Sequence, residues 1–358
     1  MSAAPNDASA NPAPTATTPA PAPLRIGLLS FAHTHALAYV RALRDDTSVD
    51  LVTTDTGTYD EGTRRGADFA RDQGVRYLDS VAEVLDWGPD AVVIASENAE
   101  HHELTLAAIQ AGAHVLCEKP LALNDAQARE MVQAARDAGV WLMTAYPVRF
   151  HSAFAALLAR VRAGELGQII SIHGTNNGKM PLAQRSWFTD PERSGGGALM
   201  DHVVHVSDLI DELLGEAAEE VYAVTNRILR SEAGRDVETG GVVSVRYPSG
   251  AIATIDCSWS VPDHAPNWGG LTLEVHGTAG SMRIDPFAGH LTGYTEHGPA
   301  HVAFGADLDA RMIAEFLDAV RSSRRPRPDG DVGLRTLAVV TAAQRSAASG
   351  LPQPVHTG

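Results

Sequence analysis

The stretch Ala91–Pro120 reads AVVIASENAEHHELTLAAIQAGAHVLCEKP. Its opening run, Ala91–Ser96, is apolar without alternation, which marks a strand buried on both faces. Apolar residues at helical spacing follow over Glu100–Gln110 and stop at Gly112. A second apolar strand, His114–Cys117, is cut off by Pro120. A strand, a helix and a strand within ~30 residues form the crossover unit of a parallel sheet. The same rhythm continues on both sides. LRIGLLSF opens at Leu24 and leads into a helix over His33–Leu43, and VDLVTTD (Val49–Asp55) is the next strand. Thr63–Gln73 is helical up to Gly74, and Val81–Asp86 is a short helix whose segment ends at Pro89. Ala126–Ala138 is a helix stopped by Gly139, and Val140–Tyr146 is a strand. This alternation predicts an α/β fold whose N-terminal domain, residues 24–146, is a doubly wound parallel sheet of Rossmann type.

The rhythm changes after Arg149. A helix over Phe154–Ala163 is followed by GELGQIISIHGTN, a turn and a strand, and then by a helix over 198–214. VYAVTNRIL, GVVSVRYP, AIATIDCSWS, LTLEVHG and SMRIDP follow as alternating strands, with turn signals at Pro248-Ser249-Gly250 and Gly277–Gly280. Asp309–Arg321 and Leu334–Ala348 close the chain as helices. Residues 147–358 therefore read as an α+β domain with an open, mostly antiparallel sheet.

The first 23 residues are rich in Ala, Pro, Thr and Ser, with neither a basic start nor an apolar core. They read as a disordered tail and not as a secretory signal. The net charge of -16 argues against nucleic acid and anionic membrane surfaces as partners. No apolar stretch approaches the ~18 residues of a membrane span. Cys117 and Cys257 make neither a disulfide framework nor a zinc motif, so a reducing cytoplasm is expected.

The loop after the first strand is where a dinucleotide pyrophosphate meets a helix N-terminus. Here Ser30-Phe31-Ala32-His33-Thr34-His35 replaces G-x-G-x-x-G. Ser30 and Ala32 still allow close approach, and the Ser30 hydroxyl offers a hydrogen bond to phosphate. His35 is bulky where the third glycine packs helix on strand. Asp55 ends the second strand about 20 residues on, where a carboxylate accepts from an adenosine ribose. No arginine follows at once to pair with a 2′-phosphate, which favours NAD over NADP. The alternative is that Asp55 only caps a loop.

Two motifs stand out beyond this loop. Cys117-Glu118-Lys119-Pro120 ends a parallel strand. Gly195-Gly196-Gly197 leads into Ala198–Asp208, where Asp201, His205 and Asp208 stand at i, i+4 and i+7 on one helical face. The glycines are expected to bring the backbone close to a ligand and aim the helix at it. With Asn98, His101 and Arg149-Phe150, these residues resemble the Gfo/Idh/MocA family of oxidoreductases from about Leu24 to the chain end. The resemblance implies a Rossmann domain, an open-faced second domain, and NAD(P)-linked chemistry at a secondary carbinol or carbonyl of a sugar, sugar derivative or cyclitol. It also implies a homodimer or homotetramer built on the open sheet. Two departures are visible: the missing glycine fingerprint, and Asp201-His202-Val203-Val204-His205 in place of Asp-x-Gly-x-His.

Hydride transfer needs a base near neutrality and a donor to steady the oxygen. His205 is read as general acid/base and Lys119 as the polarising donor, with proton carriage by Lys119 left open. Asp201 orients one of them or binds a hydroxyl. Ser30, Phe31, Ala32, His33, Asp55, Ser96, Asn98, His101, Glu118 and Lys119 are expected around the cofactor. Arg149, Asp201, His202, His205 and Trp187 are expected with Lys119 around the substrate. Trp259 is an alternative sugar platform, Asp208 reads as a packing or salt-bridge residue, and Cys117 as a buried hydrophobe. No metal is expected: His33-Thr34-His35 resembles the amidohydrolase ligand order, but that barrel needs eight strand–helix units. A ligand-sensing regulator and an enzyme that cycles a bound NAD through a transient keto-sugar are the remaining rivals.

Overall fold

In the computed structural model, residues 22–57, 65–181, 186–231 and 236–356 are described. Nearly all of the Ala/Pro-rich tail, and the start of the helix expected from Thr63, lie outside them. The first half runs β1 (Leu24–Leu29), α1 (Ala36–Arg44), β2 (Val49–Thr54), α2 (Gly66–Gln73), β3 (Arg76–Tyr77), α3 (Val81–Asp86), β4 (Ala91–Ile94), α4 (His101–Gln110), β5 (His114–Cys117), α5 (Asp125–Ala138) and β6 (Leu142–Thr144). The six strands form one parallel sheet in the order β3-β2-β1-β4-β5-β6. The order reverses between β1 and β4, and an open α/β sheet binds ligands at such a switch point.

Successive strand residues feed opposite faces. Ala91 and Val93 join Tyr39, Val40 and Leu43 of α1 on one side. Val92 and Ile94 join Val84, Ala108 and Met131, from α3, α4 and α5, on the other. Each fully buried aliphatic side chain contributes about 1.5–3 kcal/mol, so both faces demand a cover.

The second half runs α6 (Ser152–Arg162), β7 (Ile169–Lys179), α7 (Pro191–Ser194), a π-helical turn (Leu199–Val203), α8 (Val204–Leu214), β8 (Glu220–Asn226), β9 (Gly240–Arg246), β10 (Ile252–Val261), β11 (Gly269–Gly277), β12 (Ser281–Ile284), β13 (His290–Thr295), β14 (Gly298–Ala303), α9 (Leu308–Arg321), α10 (Gly330–Ser349) and β15 (Gln353–Pro354). Seven strands make a sheet in the order β12-β11-β7-β10-β9-β8-β15, antiparallel except where β7 meets β10. Val243, Val245, Ala253, Ile255, Leu271 and Leu273 point inward to α8 and α10. Ile170, Tyr222, Val224, Val242 and Ile252 are exposed. β13 and β14 form a separate hairpin that sequence reading missed. α9 packs against α1: Met312, Ile313, Phe316 and Leu317 share a core with Ile26, Leu28 and Tyr39. No helix among the described residues is long and apolar enough to cross a membrane.

Candidate active site

β5 delivers Glu118 and Lys119 to the carboxyl edge of the parallel sheet. The Lys119–Pro120 peptide is cis. His101 of α4 fixes this corner, with Nδ1 at 2.8 Å from the Pro120 carbonyl oxygen. A carbonyl only accepts, so Nδ1 carries the proton. Burial lowers the His101 pKa and keeps the ring neutral. The Lys119 side chain is 3% exposed; its Nζ donates to Asp201 Oδ1 at 2.9 Å and to the Asp201 carbonyl at 3.2 Å. Trp259 Nε1 donates to Asp201 Oδ2 at 3.0 Å. Burial alone would raise the Asp201 pKa, but the ammonium of Lys119 holds it well below the usual carboxylate range. Asp201 is therefore ionised at neutral pH and is the group that fixes Lys119.

The helix expected over 198–214 opens instead as a π turn over Leu199–Val203. Such turns are rare and gather at functional sites. Asp201 and His202 of this turn and His205 of α8 all line one cavity, as expected of the substrate side. His202 Nε2 lies 3.6 Å from Asp201 Oδ2. His205 packs its ring against Tyr146 at a centroid distance of 6.1 Å. Burial, followed by the charge of Lys119, pushes the His205 pKa well below the usual imidazole value. A neutral imidazole thus stands beside a charged, fixed ammonium.

The loop after β1 lines the same cavity through His33, Thr34 and His35. Ser30 has φ 73°, a left-handed conformation that favours glycine. Hydrogen bonds offset that cost. Ser30 Oγ donates to Asp55 Oδ1 at 3.1 Å and accepts from Arg65 Nη2 at 3.1 Å and from the Ala32 amide at 3.3 Å. Asp55 is enclosed, its side chain 2% exposed. Arg65 grips it through Nη2 to Oδ1 at 2.5 Å and Nε to Oδ2 at 3.0 Å, and the amides of Phe31, Thr56 and Gly66 donate as well. A ribose hydroxyl would have to displace one of these donors. No arginine follows Asp55 at once, but Arg65 reaches this corner from ten positions further on, a contact that adjacent-residue reading does not see.

The residues present fit a dinucleotide. No side chain caps the N-terminus of α1. Asn98, just past β4, is buried; its Nδ2 donates to the Ser194 carbonyl while Oδ1 has no hydrogen-bond partner. Ser96 is buried and donates to the Glu97 carbonyl. Glu118 is fully buried and accepts from Tyr39 Oη at 2.5 Å, with His35 Nδ1 at 3.0 Å. Burial would raise Glu118 and lower His35, but their attraction moves Glu118 below and His35 above its ordinary value.

The cavity measures about 560 Å³. It is lined by His33, His35, Lys119, Asp201, His202 and His205, and by Asn176, Asn267, Trp268, Phe287, His301 and Asp309, none of which sequence reading singled out. Trp268 stands directly before Gly269-Gly270, an aromatic beside a glycine pair, which is the signal that was available. Residues 26–146 match the family model described as an oxidoreductase family with an NAD-binding Rossmann fold. Residues 154–283 match the GFO/IDH/MocA C-terminal domain. The chain belongs to the Gfo/Idh/MocA oxidoreductase family. Its relatives include 1,5-anhydro-D-fructose reductase of Ensifer adhaerens, 32% identical over 82% of this chain and 89% of that one. Myo-inositol 2-dehydrogenase of Thermotoga maritima is 30% identical over 75% of this chain and 81% of that one. GenD2 from gentamicin A biosynthesis, solved in complex with NAD, superposes with a TM-score of 0.82 at 26% identity, covering 97% of this chain and all of that one.

Within this Gfo/Idh/MocA chain, some expected site residues lie elsewhere. Arg149 is buried on α8, where Nη2 meets Asp208 Oδ1 at 2.6 Å and Nη1 meets Glu212, and it does not line the cavity. Asp208, which its i+7 spacing set on one face with Asp201 and His205, does not line the cavity and is a salt-bridge residue. Trp187 is 3% exposed and donates to the Ala32 carbonyl at 3.4 Å, bracing the loop after β1 from behind. Trp259 is buried on Asp201. The glycine run also serves another purpose than expected. A Cβ on Gly197 would sit 2.0 Å from the Glu238 carbonyl oxygen. Glu238 Oε1 accepts from the Gly197 and Leu199 amides, both at 3.0 Å, so a side chain and not a ligand takes the start of this turn. Gly197→Ala is expected to cost about 2–3 kcal/mol by overpacking against backbone, read as a lower urea midpoint at unchanged slope. A midpoint equal to wild type would remove Glu238 as the reason for this glycine.

Proposed function

We propose that this oxidoreductase transfers hydride between a nicotinamide dinucleotide, NAD in preference to NADP, and a secondary carbinol or carbonyl of a sugar, sugar derivative or cyclitol. The observation that carries the reading is the Lys119–Asp201 ion pair beside the neutral imidazole of His205 in one cavity. The relatives named as an anhydrofructose reductase and an inositol dehydrogenase support the substrate class. When bound, the nicotinamide ring supplies the hydride acceptor. In the oxidative direction His205 takes the carbinol proton on a ring nitrogen as the C–H pair departs. Lys119 donates to the carbinol oxygen and stabilises the charge that grows there. Asp201 holds the ammonium in place, and the loop after β1 together with Asn98 borders the dinucleotide. Trp268 and Phe287 offer apolar faces to a ring, and Asn176 offers an amide to its hydroxyls. A second copy of this chain over the exposed side chains of the seven-stranded sheet, in a cytoplasmic setting, completes the proposal.

The test is a panel of sugars, glycosides and inositols with NAD and with NADP, followed by nicotinamide absorbance. Absence of signal with every member and either cofactor overturns the reading. Arg65 carries the cofactor part of it. In Arg65→Ala the Asp55 carboxylate loses its counter-charge and repels a 2′-phosphate. The NAD-to-NADP ratio of kcat/KM should move toward NAD by about tenfold. An unchanged ratio means that the adenosine end binds away from Asp55.

A further inference from the structure

Three segments bring metal-binding groups together at the cavity: His33, His35 and Asp309 line its wall, and Glu118 is buried in contact with both histidines. The loop after β1 supplies His33 and His35, the residue after β5 is Glu118, and α9 begins with Asp309 near its start. His35 Nδ1 lies 3.0 Å from Glu118 Oε1, and His33 Nδ1 lies 3.3 Å from the same oxygen. One ligand atom from each of the three residues falls within 4.8 Å of the others. Bonds of ~2.0–2.1 Å at tetrahedral angles subtend edges of ~3.4 Å, so the spacing suits one ion with little rearrangement.

Charge and orientation point the same way. Among the described residues, neither Glu118 nor Asp309 forms a salt bridge with lysine or arginine, and Asp309 Oδ1 is buried without a hydrogen-bond partner. Tyr39 and the Lys119 amide hold the two oxygens of Glu118, at 2.5 and 3.1 Å. Such outer partners fix a ligating carboxylate. The open side is the substrate side: His35 is 30% exposed and shares the cavity with Lys119, Asp201 and His205. Two imidazoles with a carboxylate suit zinc, manganese or iron better than the oxygen-seeking magnesium or calcium.

We propose that His33, His35 and Glu118, with Asp309 adding charge, bind a first-row divalent cation whose open position takes an oxygen of the bound ligand. The ion would hold a hydroxyl or carbonyl oxygen in the cavity that Lys119 and Asp201 also line, giving a polyhydroxylated ligand two anchors. The competing account of the same cluster is a proton shared between His35 and Glu118.

Metal content separates the two without any turnover, so the test stands or falls apart from the hydride-transfer reading. The full chain is stripped with a chelator, saturated with zinc or manganese, desalted, and measured by inductively coupled plasma mass spectrometry. Wild type should retain about one equivalent of one of these ions per chain, and His35→Ala and Glu118→Gln less than about one tenth. His202→Ala, which alters the same cavity outside the cluster, should retain the ion. The cobalt-loaded wild type should show the visible absorption bands of a low-symmetry nitrogen–oxygen site, which needs no variant to fold. Retention below about a tenth of an equivalent in wild type, or full retention in His35→Ala, overturns the proposal in favour of the shared proton.

Discussion

Lys119→Met is expected to lower kcat by about 10³-fold, the scale of losing a fixed donor to a developing oxyanion. Methionine keeps most of the stem that fills the corner between β5 and the π turn, so the loss falls on Nζ. Lys119→Arg should recover little, because a planar fork does not fit a site shaped by one Nζ with bonds to Asp201 Oδ1 and the Asp201 carbonyl. The variant also leaves Asp201 without its counter-charge. Breaking a buried pair from one side costs ~3–5 kcal/mol, so the melting temperature should fall as well. Lys119→Met with Asp201→Asn separates the two effects: stability should recover in part, and activity should not. More than about a tenth of wild-type kcat in Lys119→Met would remove this lysine from the chemistry.

His205→Asn should lower kcat/KM for carbinol oxidation by about 10²–10⁴-fold, the range for a positioned general base. The pH profile supplies a second readout. The groups acting on His205 are Lys119, Asp201, His202 and His35, and burial together with Lys119 keeps its pKa well below 6.5. Protonation removes its capacity to accept a proton, so wild-type oxidation should hold level down through pH 6.5 and decline only in more acid solution. That acid limb should vanish in His205→Asn. An acid limb of the same shape in the variant would assign it to another group. Carbonyl reduction requires the protonated ring and should gain as pH falls toward the same depressed value.

The parallel sheet was legible because its central strand, Ala91–Ile94, is apolar throughout and the helices between its strands stop at Gly74, Gly112 and Gly139. Lys119 was legible because a lysine bounded by Glu118 and Pro120 at a strand end is an improbable surface loop. The β13–β14 hairpin was not legible, since its two strands are mostly exposed and lack a buried face to set a period. Ser30 hid its left-handed backbone behind a residue type that seldom adopts it. The π turn left no pattern either: every residue of Leu199–Val203 is buried, the polar Asp201 and His202 included, so no exposed face sets a period. Arg149 was placed in the site from its position after β6, whereas its buried guanidinium answers to Asp208 and Glu212 on α8. Partnerships across tens of residues, such as Arg149–Asp208, are fixed by topology and not by local spacing.

The packing of α9 on α1 bears on how the chain is made. Ile26, Leu28 and Tyr39 of β1 and α1 emerge during synthesis more than 250 residues before Met312, Phe316 and Leu317 that cover them. The nucleotide-binding half therefore waits, with one apolar face open, until most of the second half has been translated. Domains that emerge first usually fold first. Here early residues depend on late ones, which makes a nascent chain stalled before α9 a natural client for a chaperone.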